Sequence, residues 1–346
     1  MSHRDRPKPS ARRISSGGRG PASRPSVLNP ALGSHPEVLL VYKKSKLALY
    51  AHERKNERFQ ALIERGDDMA RRYTAAHEAH TYTLERVKQA LSSAKVPFRT
   101  CYRARLAEKD TRGRLVVTVG GDGTLLDASH RITDAAVLGV NSDPERSVGF
   151  LCAARADTFG SILDAVLSGA LGPTQVARLT GTVDGVPLRF SVLNEVLLAH
   201  RNPAATTRYR IRVGARSEMQ KSSGIWLSAP AGSTAAIASA GGVVQALDDR
   251  RMQVRVREPY IADGDIPELL SFFVAPEGEV SITSRMREGV LYLDGPHQRV
   301  AFPIGAELVL HPRGAPLLLY VTDEMTKRRE VMRGRRHIAL AAPVEK

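Results

Sequence analysis

The order of apolar and polar positions in the first half of the chain predicts strands that alternate with helices. Three short apolar runs are typical of buried strands, and they comprise residues 37–42, 114–119 and 136–140. A long polar stretch rich in helix formers, about residues 53–94, lies between the first two runs and is predicted to be helical. Strands that alternate with helices indicate an open parallel α/β sheet.

The pattern changes after about residue 176, where alternating apolar and polar positions predict the half-buried strands of a β-rich second domain. Examples are residues 188–193, 209–213 and 251–256. A last apolar run at residues 316–321 is predicted to be a strand that could return to either domain. We therefore predict a disordered basic tail at 1–36, an α/β domain at 37–175, a β-rich domain at 176–310 and a C-terminal segment at 311–346 that returns to the first domain.

Positive charge is concentrated towards the two ends of the chain. Of the net charge of +15, residues 1–35 carry +6, from seven Lys or Arg and one Asp. These residues include few apolar side chains, so burial cannot offset the entropy lost on ordering. The basic residues near the C-terminus, which include Arg328 and Arg329, are expected to be solvated. Such a surplus suits a nucleic acid, a polyanionic substrate or solubility alone, and the lack of basic–aromatic interleaving disfavours nucleic acid.

Cysteine usage and hydropathy predict a cytoplasmic protein that does not bind a membrane. The two cysteines, Cys101 and Cys152, are far apart and have no metal-binding or redox spacing, which fits a reducing compartment. No apolar run approaches the roughly 18 residues that a membrane-spanning helix needs. The N-terminus also lacks the apolar segment of a secretory signal.

The candidate chemistry centres on a glycine-rich loop, Gly120-Gly121-Asp122-Gly123-Thr124, between a predicted strand and a predicted helix. Glycines let backbone N–H groups approach an anion, and a helix N-terminus favours phosphate. An Asp would repel phosphate, so Asp122 is best explained as the base that takes a proton from an attacking hydroxyl. The alternative is a simple glycine turn in which Asp122 makes a local hydrogen bond. The loop lacks the ending of a Walker A motif and the spacing of a dinucleotide fingerprint.

The start of the helix and two later segments complete the pattern. Thr124 followed by Asp127 resembles a capping box and predicts a helix start. The pair Asn194-Glu195 ends an apolar run and offers groups suited to ribose hydroxyls and adenine nitrogens. Residues 228–242 combine Pro, Gly and hydroxyl residues with small side chains that permit close ligand approach. Taken alone, the Asn194-Glu195 pair could equally be a polar strand end, and residues 228–242 could be a tightly packed turn and helix.

Together these segments resemble the NAD kinase family, from about residue 37 to 325. The family pattern has a GGDGT loop, a G-[IV]-N…G-F-L stretch, an N-[ED] pair, a T-P-T-G-S-T-A-Y…S-x-G-G stretch and a late D-G. Five matching segments in the same order make a specific signal. They are residues 120–124, 139–141 with 149–151, 194–195, 229–242 and 294–295. Finer details resemble the plant NADH kinases, namely the stretches at 139–144, 222–224, 229–236 and 257–259.

The resemblance implies a kinase that transfers the γ-phosphoryl of ATP to the adenosine 2′-hydroxyl of NAD or NADH and makes NADP(H). Asp122 would be the general base, and Mg²⁺ or another divalent cation would accompany ATP. By resemblance the protein is also expected to be a homo-oligomer, a dimer or larger. The residues implied in nucleotide binding are Gly120, Gly121, Gly123, Thr124, Asn141, Asn194, Glu195, Ser223, Gly232, Ser233, Thr234, Ala235, Ser239, Asp294 and His297.

Two departures from the family pattern concern the dinucleotide pocket. Most NAD kinases have Asp and Tyr where this chain has Ser223 and Ala236. Loss of a carboxylate and an aromatic ring should reshape the pocket, so we expect NADH to be accepted as well as NAD. The main alternative is a lipid kinase of the diacylglycerol or sphingosine type, which shares the glycine loop but gives no reason for Asn194-Glu195. A 6-phosphofructokinase, a non-catalytic NAD(H)-binding regulator and a nucleic-acid-binding module are further alternatives.

Overall fold

The first four strands form the parallel part of a ten-stranded sheet in the computed structural model, which describes residues 37–261 and 266–339. They are β1 Val38–Tyr42, β2 Phe98–Tyr102, β3 Leu115–Gly120 and β4 Ala136–Asn141. Their order is β2-β1-β3-β4, and each neighbouring pair is parallel. Every residue of β3 and β4 is buried, as expected for parallel strands covered on both faces. The predicted α/β class is confirmed, while the predicted tail at 1–36 lies outside the described residues.

The long polar stretch forms two helices. The chain breaks at Gly66, whose φ of +64° favours glycine. The side chain of Asn56 caps the first helix and that of Asp67 caps the second, each by accepting a backbone N–H. The α-helices of this half are α1 Glu57–Glu64, α2 Asp68–Ser93, α3 Glu108–Thr111, α4 Asp122–Ser129 and α5 Phe159–Leu167, and short π- and 3-10 helices lie at Ala48–Glu53 and Arg103–Arg105.

One long strand joins the two halves of the molecule. Strand β16, Glu307–Tyr320, pairs in parallel with β4 through Leu318 and Leu319. Its first half pairs antiparallel with β13, so the sheet continues into the second half of the chain. The apolar run predicted at residues 316–321 is therefore the end of β16, beside the parallel strands. The other strands of this sheet are β5 Pro173–Val183, β6 Val186–Pro187, β8 Thr207–Val213, β9 Arg216–Ser222 and β13 Val280–Ser284.

A six-stranded antiparallel sheet covers the second half of the ten-stranded sheet, in the order β12-β11-β10-β7-β14-β15. Its strands are β7 Glu195–His200, β10 Gly224–Ser228, β11 Met252–Arg257, β12 Ser271–Val274, β14 Gly289–Leu293 and β15 Gln298–Ala301. Side chains of both sheets share one buried core, for example Leu198 and Leu227 from one sheet and Ile211 and Ile282 from the other. This sandwich confirms the predicted β-rich C-terminal part.

The strand predicted at residues 188–193 is wrong. This segment crosses from one sheet to the other, and its ladder contact is an isolated bridge between Val192 and Leu179. Val192 and Leu193 are nevertheless fully buried. The alternating pattern therefore reports burial of a crossing segment and not strand pairing.

The second half of the chain adds a 3-10 helix at Ala231–Thr234 and two α-helices, α6 Ala236–Ser239 and α7 Asp323–Ala339. Helix α7 packs back against the parallel half of the molecule, where Met325 is fully buried in the first core. Among the described residues, no helix combines the length and apolar character needed to cross a membrane.

Candidate active site

The glycine-rich loop lies where β3 ends and α4 begins. Gly120 is the last residue of β3, Gly121 precedes the helix, and Asp122 occupies the first helical position. A carboxylate at that position is favoured by the positive end of the helix dipole. A Cβ on Gly120 would lie 2.1 Å from the Oγ1 of Thr124, so the sharp turn requires glycine there. Gly123 is exposed, and a Cβ built on it would meet nothing within 4 Å.

The helix start predicted at Thr124 is wrong. The glycines let the chain turn earlier, so Thr124 already lies in the first turn of α4, where its N–H donates to the carbonyl of Gly121 at 2.9 Å. Its side chain is buried, and no hydrogen-bond partner for its Oγ1 is found within the described part of the chain. Asp127 is exposed and pairs with Arg103. The loop thus places a charged side chain, and not a capping hydroxyl, at the helix N-terminus.

Two backbone N–H groups hold the Asp122 carboxylate. Phe150 N donates to Oδ2 at 2.9 Å, and Leu151 N donates to Oδ1 at 2.8 Å. Burial raises the pKa of Asp122, and these two hydrogen bonds together with the charges of Arg328 and Arg329 offset part of that rise. A carboxylate with a raised pKa is a stronger base than an ordinary Asp, and its oxygens retain further lone pairs. The geometry therefore provides an oriented carboxylate that can accept a proton.

Asn141, at the end of β4, supports the turn that holds Asp122. Its Nδ2 donates to the carbonyl of Ser147 at 2.7 Å, and its Oδ1 accepts from the N–H of Asp143 at 3.2 Å. Gly149 packs on Asn141 with a φ of +67°, and a Cβ there would lie 2.6 Å from Nδ2. The side chain of the predicted binding residue Asn141 is thus bonded to Ser147, directly before the 148–152 turn.

A cavity of about 710 Å³ opens beside Gly120 and Gly121, at the carboxyl ends of β1, β3 and β4. Open parallel sheets bind ligands at this edge. Four basic side chains and two carboxylates line the cavity, so its charge favours an anion of several negative charges. The charged lining residues are Lys43, Lys46, Arg72 and Arg146 with Asp143 and Glu145.

A buried histidine joins two of the strand ends beside this cavity. His80 of α2 contacts the hydroxyl of Ser142 at 3.0 Å and the carbonyl of Lys43 at 2.8 Å. Burial, followed by the nearby charge of Lys43, lowers the pKa of His80 to about 4. The imidazole is therefore neutral at physiological pH, and it fixes the ends of β1 and β4 without adding charge.

The buried carboxylate of Asp294 holds the backbone of the Asn194-Glu195 pair in place. Its carboxylate accepts backbone N–H groups from Leu193 at 2.9 Å, Asn194 at 2.6 Å and Glu195 at 3.2 Å. His130 lies 2.9 Å from Oδ2 and stacks on Phe190. The Asp294 side chain has no exposed surface. In this structure the predicted binding residue Asp294 therefore fixes the backbone at residues 193–195 and does not face solvent.

Asn194 and Glu195 offer acceptors that lack partners. Two buried oxygens of this pair have no hydrogen-bond partner within residues 37–261 and 266–339. They are the Oδ1 of Asn194 and the Oε2 of Glu195. Burial, followed by the charge of Asp294, raises the pKa of Glu195 to about 8. Near neutral pH Glu195 is therefore mainly a carboxylic acid, which can donate as well as accept a hydrogen bond. These groups suit the hydroxyl and nitrogen atoms of a nucleoside.

The raised pKa of Glu195 predicts a pH-dependent stability. The folded protein keeps the carboxyl proton of Glu195 up to about pH 8, whereas the ordinary pKa of a glutamate is 4.5, so ionisation of Glu195 destabilises the fold as pH rises through that interval. We expect Glu195→Gln to raise the free energy of unfolding by a few kcal/mol relative to wild type at pH 9 and by much less at pH 5. Urea unfolding at both pH values measures this.

The control for that measurement is Glu277→Gln, because Glu277 is an exposed glutamate in a turn. It should leave the pH dependence of stability unchanged. A Glu195→Gln protein whose stability relative to wild type is the same at both pH values would contradict the assignment.

Residues 229–235 pack directly on Asn194. A Cβ on Gly232 would lie 2.2 Å from the carbonyl oxygen of Asn194, so the close approach of the two chains requires glycine. The hydroxyl of Ser233 is buried and already occupied, with Pro230 O at 2.7 Å and the N–H of Gln245 at 2.8 Å. Thr234 and Ala235 are half-buried at the start of α6. Of the predicted hydroxyls, that of Ser233 bonds internally, and that of Thr234 donates to the carbonyl of Ala231 at 3.4 Å.

Three other predicted binding residues lie next to or at the ends of elements in the second half of the chain. Ser223 lies between β9 and β10. Ser239 is exposed at the end of α6. His297 is exposed in the turn between β14 and β15. The hydrogen bonds and close approaches described above connect Asn141 to the turn that holds Asp122 of the glycine loop, and Asn194-Glu195 to residues 232–235.

The expectation that the C-terminal arginines are solvated is wrong for two residues of α7. Arg329 is 3% exposed and donates to the carbonyls of Pro230 and Gln245 and to the hydroxyl of Ser233. Arg328 donates to carbonyls of the 148–152 turn. Sequence analysis missed them because clustered arginines usually face water. A usable signal was the apolar Met325, one helical turn before Arg329, which marks the buried face.

Taken together, these features define a phosphoryl-transfer site: a glycine loop at a helix N-terminus, a held carboxylate base and a basic cavity at the edge of a parallel sheet.

Residues 38–171 match the family model described as the ATP-NAD kinase N-terminal domain. A probable NADH kinase of Oryza sativa subsp. japonica is 34% identical over 268 residues, which cover 71% of this chain and 82% of that protein. An NADH kinase of Arabidopsis thaliana is 32% identical, covering 63% of this chain and 76% of that protein.

The chain therefore belongs to the NAD kinase family, and the predicted resemblance to plant NADH kinases is confirmed. Solved structures share its fold. An NAD kinase from Archaeoglobus fulgidus in complex with ATP superposes with a TM-score of 0.64 at 18% identity, covering 86% of this chain and 98% of that one. Yeast NADH kinase complexed with NADH gives a TM-score of 0.60 at 16% identity, covering 90% and 91%.

Proposed function

We infer that the protein is an ATP-dependent NAD(H) kinase that phosphorylates the adenosine 2′-hydroxyl of the dinucleotide. The observation that carries this inference is the Asp122 carboxylate, held by two backbone N–H groups next to a basic cavity of about 710 Å³. The relatives named NADH kinase and the family match support the choice of substrate. A lipid kinase is not favoured, because these relatives act by name on a dinucleotide.

The chemistry needs one proton acceptor and one anion-binding surface. Asp122 accepts the proton of the 2′-hydroxyl while that oxygen bonds to the γ-phosphorus, and the bond from the γ-phosphorus to the β,γ-bridging oxygen breaks. The products are the 2′-phosphorylated dinucleotide and ADP. The unpartnered oxygens of Asn194 and Glu195 suit the adenosine, and Lys43 and Arg72 of the cavity suit the donor phosphates.

A divalent cation, which we propose to be Mg²⁺, fits the cavity. Mg²⁺ keeps several waters and binds one or two carboxylates together with substrate phosphates. Asp143 and Glu145 line the cavity among the basic residues, so they could supply such ligands. When bound, the cation would neutralise charge on the β- and γ-phosphate oxygens.

The test is a product assay with ATP and Mg²⁺ on NAD and, separately, on NADH. We expect NADP and NADPH to form, and chelation of the metal to stop both reactions. A diacylglycerol, sphingosine and fructose 6-phosphate panel is run in parallel. Phosphorylation of a panel member with no dinucleotide product would overturn the assignment.

The ratio of the rates with NAD and with NADH tests how Ser223 and Ala236 affect the dinucleotide pocket. Ser223 and Ala236 stand where most family members have Asp and Tyr, which supports our proposal that NADH is accepted as well as NAD. Absence of product from NAD would instead indicate a strict NADH kinase.

We also propose that the protein works in the cytoplasm as a homo-oligomer, a dimer or larger. Cys101 and Cys152 are free thiols, which suits a reducing compartment.

The outer face of the six-stranded sheet presents half-buried apolar side chains in register across β10, β7 and β14, which suits contact with a second copy. They are Trp226, Leu197 and Tyr292.

A further inference from the structure

One guanidinium on the C-terminal helix reaches the turn that holds the catalytic base. Nη1 of Arg328 donates to the carbonyls of Val148 and Gly149, each at 2.8 Å. Its Nη2 donates to the carbonyl of Cys152 at 2.6 Å. Three carbonyls of a five-residue turn are therefore bound by a single side chain that lies far away in the sequence.

The remaining two residues of that turn face the other way. The N–H groups of Phe150 and Leu151 donate to the Asp122 carboxylate at 2.9 and 2.8 Å. The turn thus has a carbonyl side bound to Arg328 and an N–H side bound to Asp122. Hydrogen bonds to a charged group are about twice as strong as neutral ones, and they polarise the peptide groups that they engage. The carbonyl of Gly149 and the N–H of Phe150 belong to one peptide group, so Arg328 directly engages the peptide of one donor to Asp122, and the N–H of Leu151 belongs to the next peptide of the same turn.

Adjacent arginines connect this turn to the opposite wall of the site. Arg329 is buried and bonds Pro230 and Ser233, next to Gly232, which packs on Asn194. Helix α7 therefore contacts both the turn at Asp122 and the segment next to the Asn194-Glu195 pair. Both contacts are made by arginines of α7 and not by residues of the glycine loop.

We propose that Arg328 is a positioning residue for the kinase reaction: from α7 it fixes the 148–152 turn so that the carboxylate of Asp122 is aimed at the attacking hydroxyl. This inference rests on the proposed function for its effect on catalysis. Its structural part, that Arg328 holds the Phe150 and Leu151 amides in place, does not depend on which substrate is phosphorylated.

The kinetic test compares Arg328→Ala, Arg328→Lys and Lys327→Ala. Lys327 precedes Arg328 on α7 and is exposed, so it is the matched loss of one positive charge. We expect Arg328→Ala to lower kcat by about tenfold or more, since a misplaced base loses most of its efficiency. KM for the dinucleotide should change by less than about twofold, because Asn194 and Glu195 do not contact Arg328.

The pH profile separates positioning from a loss of folding. Loss of the Arg328 charge and loosening of the two N–H contacts both raise the pKa of Asp122 further. The acid limb of kcat/KM should therefore move to higher pH in Arg328→Ala. Arg328→Lys keeps the charge but cannot bind three carbonyls with one planar group, so it should restore the acid limb more than kcat. Lys327→Ala should match wild type in both.

Amide hydrogen exchange gives a readout that needs no enzymatic activity. We expect exchange at Phe150 and Leu151 to be at least about tenfold faster in Arg328→Ala than in Lys327→Ala, because the turn opens more often. If Arg328→Ala does not fold, Arg328→Lys decides by the same measurement, with a smaller acceleration expected. Unchanged exchange at both amides, or a wild-type acid limb in the folded variant, would overturn the proposal. Faster exchange in a protein that phosphorylates no dinucleotide would instead retain the contact and reject the proposed function.

Discussion

Replacement of Asp122 by asparagine is expected to lower kcat for phosphoryl transfer by about 10²- to 10⁴-fold, the usual range for loss of a general base. An amide cannot accept the hydroxyl proton. It also presents an NH₂ group to one of the two backbone N–H donors, Phe150 or Leu151, which now face the carboxylate. KM for the dinucleotide should change little, because Asn194 and Glu195 remain. Initial rates with saturating ATP and Mg²⁺ measure both constants.

The matched control is Asp127→Asn. Asp127 lies on the same helix, carries the same charge and is exposed in an ion pair with Arg103. Its loss should leave kcat within about twofold of wild type, since surface ion pairs contribute little. An Asp122→Asn enzyme that is folded and retains more than a tenth of the wild-type kcat would exclude Asp122 as the base.

The same assignment fixes the direction of the pH dependence. The base must be ionised, and burial raises the pKa of Asp122 above its ordinary value of 3.8. The wild-type kcat/KM should therefore fall about tenfold per pH unit once the pH drops below this raised pKa. This acid limb should be absent from the residual activity of Asp122→Asn.

The largest loss of stability is expected from Asp294→Ala. This change removes the acceptor of three backbone N–H groups at residues 193–195 and the partner of His130. Buried donors left without partners cost about 1–3 kcal/mol each, so the free energy of unfolding should fall by roughly 3–5 kcal/mol. Urea unfolding measures the loss. The dinucleotide KM should also rise, because residues 194 and 195 lose their support.

Asp184→Ala is the control for this measurement. Asp184 also precedes a glycine and has a φ of +52°, close to the +51° of Asp294, so both variants place Ala in the same strained backbone region. It is exposed and accepts one backbone N–H, from Glu307 at 2.8 Å. We expect a cost of about 1–2 kcal/mol, from that strain and one exposed hydrogen bond. Equal losses in the two variants would mean that the buried network at Asp294 adds nothing.

The sequence predicted the strands whose patterns reflect their own burial. Residues 114–119 and 136–140 are continuous apolar runs because parallel strands are covered on both faces, and they form β3 and β4. The same rule failed at residues 188–193, where buried side chains belong to a segment that crosses between sheets. Hydrophobic pattern reports burial, and strand pairing is one of several ways to achieve it.

Candidate site residues could be predicted where one short segment contains the chemistry. The glycine loop and Asp122 were predicted from residue type and spacing, and the Asn194-Glu195 pair was added by the family resemblance. The contribution of Arg328 could not be recognised in this way. Its partners are backbone carbonyls at residues 148, 149 and 152, and a carbonyl leaves no trace in residue identity.

By itself the sequence determined the fold class and the family and pointed to Asp122 as the candidate base, because these depend on local pattern and on motifs in a fixed order. Tertiary structure alone decided which polar groups serve the fold and which are available to a ligand. The side chains of Ser233 and Asp294 are hydrogen-bonded within the protein, whereas Asn194 and Glu195 keep unpartnered oxygens. The physical reason is that hydrogen-bonding capacity is shared among groups distant in sequence, and only packing determines which partners meet.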